Sequence, residues 1–184
     1  MLRVSELTPG PWLTPAEQEA WRAFLISSQL LVAALDRQLQ RDAGIPHAWF
    51  ALLVVLAEHP NRTARQSELA GIAEFSLSRL SYAITRLADR GWVTRTPDPD
   101  DRRATLVTLT DAGVDALATI APAHVALVRE LLFARLSGRQ VSALHEACRA
   151  ILAGLPDAPM MPSPAPTPSL DRGAEHRVRR LAGR

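Results

Sequence analysis

No lysine occurs anywhere in the 184 residues; all 21 basic residues are arginine. This is most simply the coding bias of a GC-rich genome, and it excludes nothing about function. The scarcity of cysteine excludes more. A lone Cys148 cannot close a disulfide within the chain, which suits a reducing compartment. Long apolar runs are also missing: the longest, around Phe24 to Leu35 and Ala48 to Ala57, fall short of the ~18 to 20 residues that cross a bilayer, and the first contains two serines. No membrane span or membrane partner is predicted. The opening residues, MLRVSELTPGPWLT, lack the charged, apolar, small-residue order of a secretory signal. A cytoplasmic location is therefore expected. There is no glycine-rich phosphate loop, no carboxylate pair in a plausible cleft and no histidine beside a nucleophile, so neither an enzyme nor a cofactor is expected.

Net charge is uninformative until it is located. The chain carries +2, but residues 156 to 184 hold five arginines against Asp157, Asp171 and Glu175, which leaves residues 1 to 155 formally neutral. Overall charge is thus no argument for a nucleic-acid partner; only local placement is one.

What is present is helical periodicity. Thr14-Pro15-Ala16-Glu17 has the cap, proline and glutamate that open a helix; Trp21, Phe24, Leu25, Leu31, Leu35 and Leu39 then recur at helical spacing to about Asp42, before Gly44 and Pro46. His47 to Glu58 form a second helix, apolar nearly all round and so expected to be buried. Thr63 to Ala73 read as a short third helix, with Thr63 and Gln66 spaced as a capping box. Ser76 caps a fourth, which Gly91 stops. On it Leu77, Leu80, Ala83, Ile84 and Leu87 share one face, while Ser78, Arg79, Ser81, Tyr82, Thr85 and Arg86 share the other. A short helix, a tight turn and a helix with a small-polar, arginine-bearing outer face is the helix-turn-helix arrangement.

Trp92 to Thr96 and Ala104 to Leu109 are the only two strands predicted, a hairpin whose loop holds Pro97 and Pro99. Thr110-Asp111-Ala112-Gly113 opens a long fifth helix to about Arg135, kinked at Pro122. Ser137 starts the sixth, with Val141, Leu144, Cys148, Ile151 and Leu152 inward. From Pro156 onward, prolines and scattered charges without periodicity predict a disordered tail.

Asp101, Arg103, Leu109, Thr110 and Gly113 stand as D-x-R-x5-L-T-x2-G directly after the helix-turn-helix. This resembles the signature of the multiple-antibiotic-resistance regulator (MarR) family, over roughly residues 15 to 155. The resemblance implies a mainly α fold, a winged helix-turn-helix of six helices and a two-stranded hairpin wing, in a homodimer. Residues 1–13 would be an extension, 14–155 the domain and 156–184 the tail. Within the domain, 14–42 and 114–155 would dimerise and about 46–112 would be the winged helix. The implied function is a sequence-specific transcriptional regulator, a repressor relieved by a small ligand, that binds a pseudo-palindromic operator in double-stranded DNA. Arg103 matches the family's wing arginine, at the minor groove, and Asp101 the acidic residue that helps fix the wing. The turn carries Glu74 where the family commonly has glycine.

Physical chemistry suits these roles. Arginines at a ribbon tip reach a narrow minor groove where its potential is most negative, and an aspartate two residues earlier can orient a guanidinium. The candidate DNA contacts are Ser76, Ser78, Arg79, Ser81, Tyr82 and Arg86 on the helix, with Asp101, Arg102 and Arg103 on the wing. Arg90 reads as a phosphate contact or an internal pair, and Arg62 and Arg65 as weaker phosphate candidates. Trp21, Arg22, His47, Trp49 and Phe50, with Phe24, are candidates to line a crevice for a small aromatic or anionic effector. His145 and Cys148 offer two metal donors, too few for a site; no metal is expected. Two other functions fit the same residues: a winged helix that binds protein, which the neutral charge of residues 1 to 155 keeps open, and a DNA-binding dimer with no effector.

Overall fold

The computed structural model describes residues 12–72, 77–101 and 103–155. Among the described residues there are six α-helices: α1 (Pro15–Ala43), α2 (His47–Glu58), α3 (Gln66–Ile72), α4 (Leu77–Asp89), α5 (Asp111–Leu131) and α6 (Gly138–Gly154). Three strands, β1 (Thr63–Arg65), β2 (Val93–Pro97) and β3 (Thr105–Leu109), form an antiparallel sheet in the order β1-β3-β2. The expected Ser76 cap, the Glu74 turn, Arg102 and the tail from Pro156 lie outside the described residues.

The helix ends follow the local chemistry. The Thr14 hydroxyl accepts from the Glu17 amide while the Glu17 carboxylate accepts from the Thr14 amide at 2.7 Å, the reciprocal capping box. Gly44 ends α1 in the left-handed region at φ 63°, where its own N–H meets the Gln40 and Leu39 carbonyls. Pro46 leaves α2 without a side-chain cap of its own. Instead the Asp36 carboxylate, reaching from α1, accepts the His47 amide at 2.8 Å and places negative charge at the positive helix end.

Thr63 to Arg65 depart from the expected helix. They pair with β3 in the register Thr63–Thr108, Ala64–Val107 and Arg65–Leu106, with Ala64 buried and the two threonine hydroxyls 2.8 Å apart. Tertiary pairing overrides the apparent capping box, and the helix starts three residues later. There the Glu68 carboxylate accepts the Arg65 amide at 2.9 Å. The sheet therefore has three strands where two were expected. Pro97 closes β2 on an edge, where no ladder hydrogen bond is required of it.

The core is the interior of the winged helix. Leu52, Leu53 and Leu56 of α2, Leu80, Ile84 and Leu87 of α4, and Val107 of β3 are all essentially inaccessible. Ile120 of α5 and Leu39 of α1 close it from the other side. The L-T-x2-G stretch of the motif acquires a physical reason at this seam. Leu109 is buried. The Thr110 hydroxyl accepts the Gly113 amide at 3.0 Å and donates to the Gly91 carbonyl at 2.6 Å. A Cβ on Gly113 would collide with the Trp92 carbonyl oxygen and the Leu109 side chain, so no larger residue fits without movement.

α5 runs unbroken through Pro122 to Leu131, and a short 3-10 turn, Phe133–Arg135, replaces its expected last turn. By length and composition alone Asp111–Arg135 could cross a bilayer, a test that the core helix of a soluble protein also passes. Ile120 and His124 pack it on α1 and α2, Val114 and Leu117 lie half-covered against the same core, and Val125 is exposed. Exposure in the single chain departs from one further expectation, the inward stripe of α6. No residue of α6 is buried in the single chain, and its stripe leaves Leu144 and Ile151 exposed, Val141, Cys148 and Leu152 half-covered. On α1 only Leu35, Gln38 and Leu39 are buried; Trp21 and Phe24 stack on each other in the open.

Candidate nucleic-acid interface

α4 presents the face its sequence promised. Leu80, Ala83, Ile84 and Leu87 are buried, while Ser78, Arg79, Tyr82, Thr85 and Arg86 are exposed and Ser81 half-exposed. Tyr82 does not hang loose. Although 61 % exposed, its ring meets the Trp49 ring edge-on at 6.0 Å, an arrangement favoured by the ring quadrupoles. Arg86 lies 3.3 Å from Asp89 on the same exposed face, a pair worth little in water. Across the gap to the wing, Arg95 on β2 donates to the Thr85 hydroxyl at 3.4 Å.

The wing tip is built from two aspartates, each accepting the backbone N–H two residues on, a turn that Asp forms more readily than other residues. Asp98 accepts from the Asp100 amide and Asp101 from the Arg103 amide, both at 2.9 Å. The Ala104 amide donates to the Asp101 carbonyl, and the Asp98 amide to the Ala104 carbonyl, which closes the loop. Asp101 therefore fixes Arg103 through its backbone rather than by orienting the guanidinium, as the sequence suggested. The Arg103 side chain is exposed and makes no ion pair among the described residues. It borders a shallow depression of about 310 Å³ with Asp101, Gln66 and Ser67.

Asp98, missed from sequence, ties this tip to the helix-turn-helix. Its carboxylate is buried and accepts the Arg65 Nε–H at 2.8 Å. The Asp100 N–H, helped by Arg65, holds it below the ordinary carboxylate range against the cost of its burial. The signal was present as two consecutive spacings, D-x-D over 98–100 and D-x-R over 101–103, of which only the second entered the motif. Arg65 is thereby paired within the chain, as is Arg62, which pairs at the surface with Asp111 at 3.0 Å. Both arginine side chains remain nearly half exposed. Arg90, although exposed, also binds within the chain, donating to the Ala43 and Gly44 carbonyls.

The five candidate effector residues do not line one crevice. His47 and Phe50 face His124 of α5, with ring centroids 5.5 and 4.5 Å away. Trp49 faces Tyr82 on the other side of α2. Trp21 and Arg22 are exposed near the far end of α1, some twenty residues and roughly 30 Å of helix from its C-terminus. Two open grooves flank the Trp49–Tyr82 pair. One of about 400 Å³ is lined by Pro46, Ala48, Ser78 and Arg79, and one of about 220 Å³ by Gly44, Arg86, Asp89 and Arg90. Between α1 and α5, His124 Nδ1 lies 3.3 Å from the Gln38 amide oxygen, both groups buried. Burial lowers the pKa of both histidines; at His124 the neighbouring His47 adds to it, while at His47 Asp36 partly offsets it.

The sequence description of the MarR family matches residues 43–104. Sco3205 of Streptomyces coelicolor, a MarR family transcriptional regulator crystallised in complex with DNA, is 45% identical; the match covers 83% of this chain and 98% of Sco3205, with a TM-score of 0.76. AbsC, a MarR family transcriptional regulator of the same organism, is 35% identical over 78% of this chain and 97% of its own, with a TM-score of 0.73. BpsR of Bordetella bronchiseptica, whose DNA binding is regulated by 6-hydroxynicotinic acid, shares the fold at 21% identity and a TM-score of 0.66, over 80% of this chain and 100% of its own. No curated protein sequence matches. With near-complete coverage of two relatives above 30% identity, a shared winged helix and a wing built on the D-x-R motif, the chain belongs to the MarR family of transcriptional regulators.

Proposed function

We propose that the chain binds operator DNA as a homodimer, with α4 in the major groove and the wing in the flanking minor groove, and so represses transcription. One observation carries this reading: the exposed polar face of α4 and the Asp101-braced Arg103 belong to one winged helix, joined across β2 by Arg95 and Thr85. Ser78, Arg79, Ser81 and Tyr82 are the proposed base-reading residues, Arg86 a phosphate contact and Arg103 the minor-groove contact. Ser76 and Arg102 complete the set from positions outside the described residues.

The exposed apolar side chains of α1, α5 and α6, including Leu30, Val125 and Ile151, with Phe133 of the turn between α5 and α6, are read as the dimer interface. On that reading α5 is covered by a partner subunit and is not a membrane span, and the protein works in the cytoplasm. The winged helix is then about 46–112, flanked by dimerisation helices. Small aromatic anions are the proposed effectors, held in the grooves beside Trp49 and Tyr82, where arginines can meet a carboxylate. No chemical step is needed for such a role, and the chain is read as a non-enzyme.

Electrophoretic mobility shift on duplexes selected from random DNA tests the central reading. Nanomolar binding that weakens steeply with salt is expected; absence of binding even in dilute buffer overturns it and favours a protein-binding winged helix. Quenching of tryptophan fluorescence by hydroxybenzoate or hydroxynicotinate tests the effector reading, with loss of the response expected in Trp49→Phe.

A further inference from the structure

The recognition helix is fastened to the dimerisation helices at one end, within three residues. Gly91, at φ 73°, reverses the chain after α4. Its carbonyl accepts the Thr110 hydroxyl, and the Trp92 carbonyl accepts the Thr110 amide at 3.0 Å, so the N-terminus of α5 is held on one side. On the other side Arg90 reaches the C-terminus of α1: Nη1 donates to the Ala43 carbonyl at 2.9 Å and Nη2 to the Gly44 carbonyl at 2.8 Å. These acceptors are carbonyls at the end of a 29-residue helix, where the macrodipole concentrates negative charge. The Trp92 ring backs the guanidinium at 5.0 Å. A planar fork can hold two carbonyls at once in a fixed orientation, which an ammonium cannot do.

We propose that Arg90 is a positioning residue that sets the separation of the two recognition helices in the dimer, and with it the operator spacing the protein accepts. The inference rests on the DNA-binding reading above. Its leverage is geometric. α4 has 13 residues and is therefore about 20 Å long, so a tilt of roughly ten degrees at its anchored end moves the other end by about 3 Å, close to one base-pair rise. α1 carries the open apolar face, so the angle between α1 and α4 is transmitted directly to the distance between recognition helices.

The test uses the full chain and the operator that the wild type selects from random DNA, together with versions whose half-sites are one base pair closer or further apart. Wild type is expected to prefer its own spacing by roughly tenfold or more. Arg90→Ala should reduce this preference to under about threefold by weakening the best complex, with dimer mass and salt dependence unchanged. Arg90→Lys keeps the charge but loses the fork, and should behave like Arg90→Ala. A folded, dimeric Arg90→Ala that retains the wild-type preference overturns the proposal. So does a salt slope reduced by about 0.9 per subunit and restored by Lys, which would mark a plain phosphate contact. Should the alanine variant fail to fold, the lysine variant decides alone: undiminished spacing preference in it overturns the proposal. A wild type that enriches no sequence overturns the DNA-binding reading itself, and this inference with it.

Discussion

Helices α4 and α6 have the same design on paper, an apolar stripe along a polar cylinder, yet the chain treats them oppositely. On α4 the stripe is sealed, with Leu80, Ala83, Ile84 and Leu87 at 0 to 1 % exposure. On α6 nothing is buried, and Ile151 remains 48 % exposed. α4 lies between α3 and β2, which cover it at once; α6 follows a 3-10 turn after α5 and does not fold back on the core. An amphipathic pattern states that a face needs cover, and says nothing about which molecule supplies it. Each large apolar side chain left in water forgoes about 1.5 to 3 kcal/mol, and for α6 and the outer half of α1 the proposed dimer would supply the cover.

Breaking the uncovered half should have the largest effect. Leu144→Asp combined with Ile151→Asp places charges in the proposed interface while leaving the winged-helix core untouched. Sedimentation should show monomers, and operator affinity should fall roughly hundredfold or more, because two linked half-site contacts become independent. A variant that stays dimeric would move the interface away from α6.

Breaking the covered half should cost less and leave assembly intact. Arg103→Ala removes one proposed minor-groove contact per subunit, and operator binding should weaken by about 1 to 3 kcal/mol at moderate salt. Dimer mass and melting temperature should stay at wild-type values, since the Arg103 side chain holds nothing else among the described residues. Wild-type affinity in a gel shift would remove the best-matched residue of the motif from the interface.

Gly113→Ala strikes the seam between the halves. The added methyl meets the backbone carbonyl of Trp92, which cannot swing aside like a flexible side chain. A loss of about 1 to 3 kcal/mol is expected, seen as a lower melting temperature with the DNA-contacting side chains unchanged. Unaltered stability would mean that α5 shifts freely on β3, contrary to its packing.

The parts of this molecule legible in the sequence were those whose determinants are local. The caps at Thr14, Thr110 and Ser137, the stop at Gly44, and the inner and outer faces of α4 all depend on residues within a turn or two. What escaped was long-range. β1 looked like the first turn of a helix because its partner β3 lies some forty residues on. The Arg65–Asp98 pair and the Arg90 fork join residues 33 and 47 apart, and no local pattern announces them. The candidate effector residues are spread out in the single chain, with Trp21 and Arg22 on α1 and His47, Trp49 and Phe50 on α2. Of the proposed DNA contacts, the D-x-R residues were legible as a motif, but the part played by Asp101 needed the backbone geometry.

The smallest predicted effect also lies at the seam, where His124 of α5 and His47 of α2 face each other beside Gln38 and Phe50. Both are buried enough to lie below the ordinary histidine value near 6.5 in the folded chain. The unfolded chain then binds more protons than the folded one as pH drops through that value, so stability is complete above it and declines below it. The melting temperature should fall gently between pH 7 and pH 5, and the decline should be shallower in His124→Gln, which cannot take up the proton. Asp36 opposes the shift at His47 and limits the slope. Since these rings join the dimerisation helices to the winged helix, acid should loosen the joint before it opens the α4 core. Hydrogen exchange at pH 5 should therefore rise first in the opening turns of α2 and the middle of α5; faster exchange appearing first in α4 would place the weak point inside the covered half.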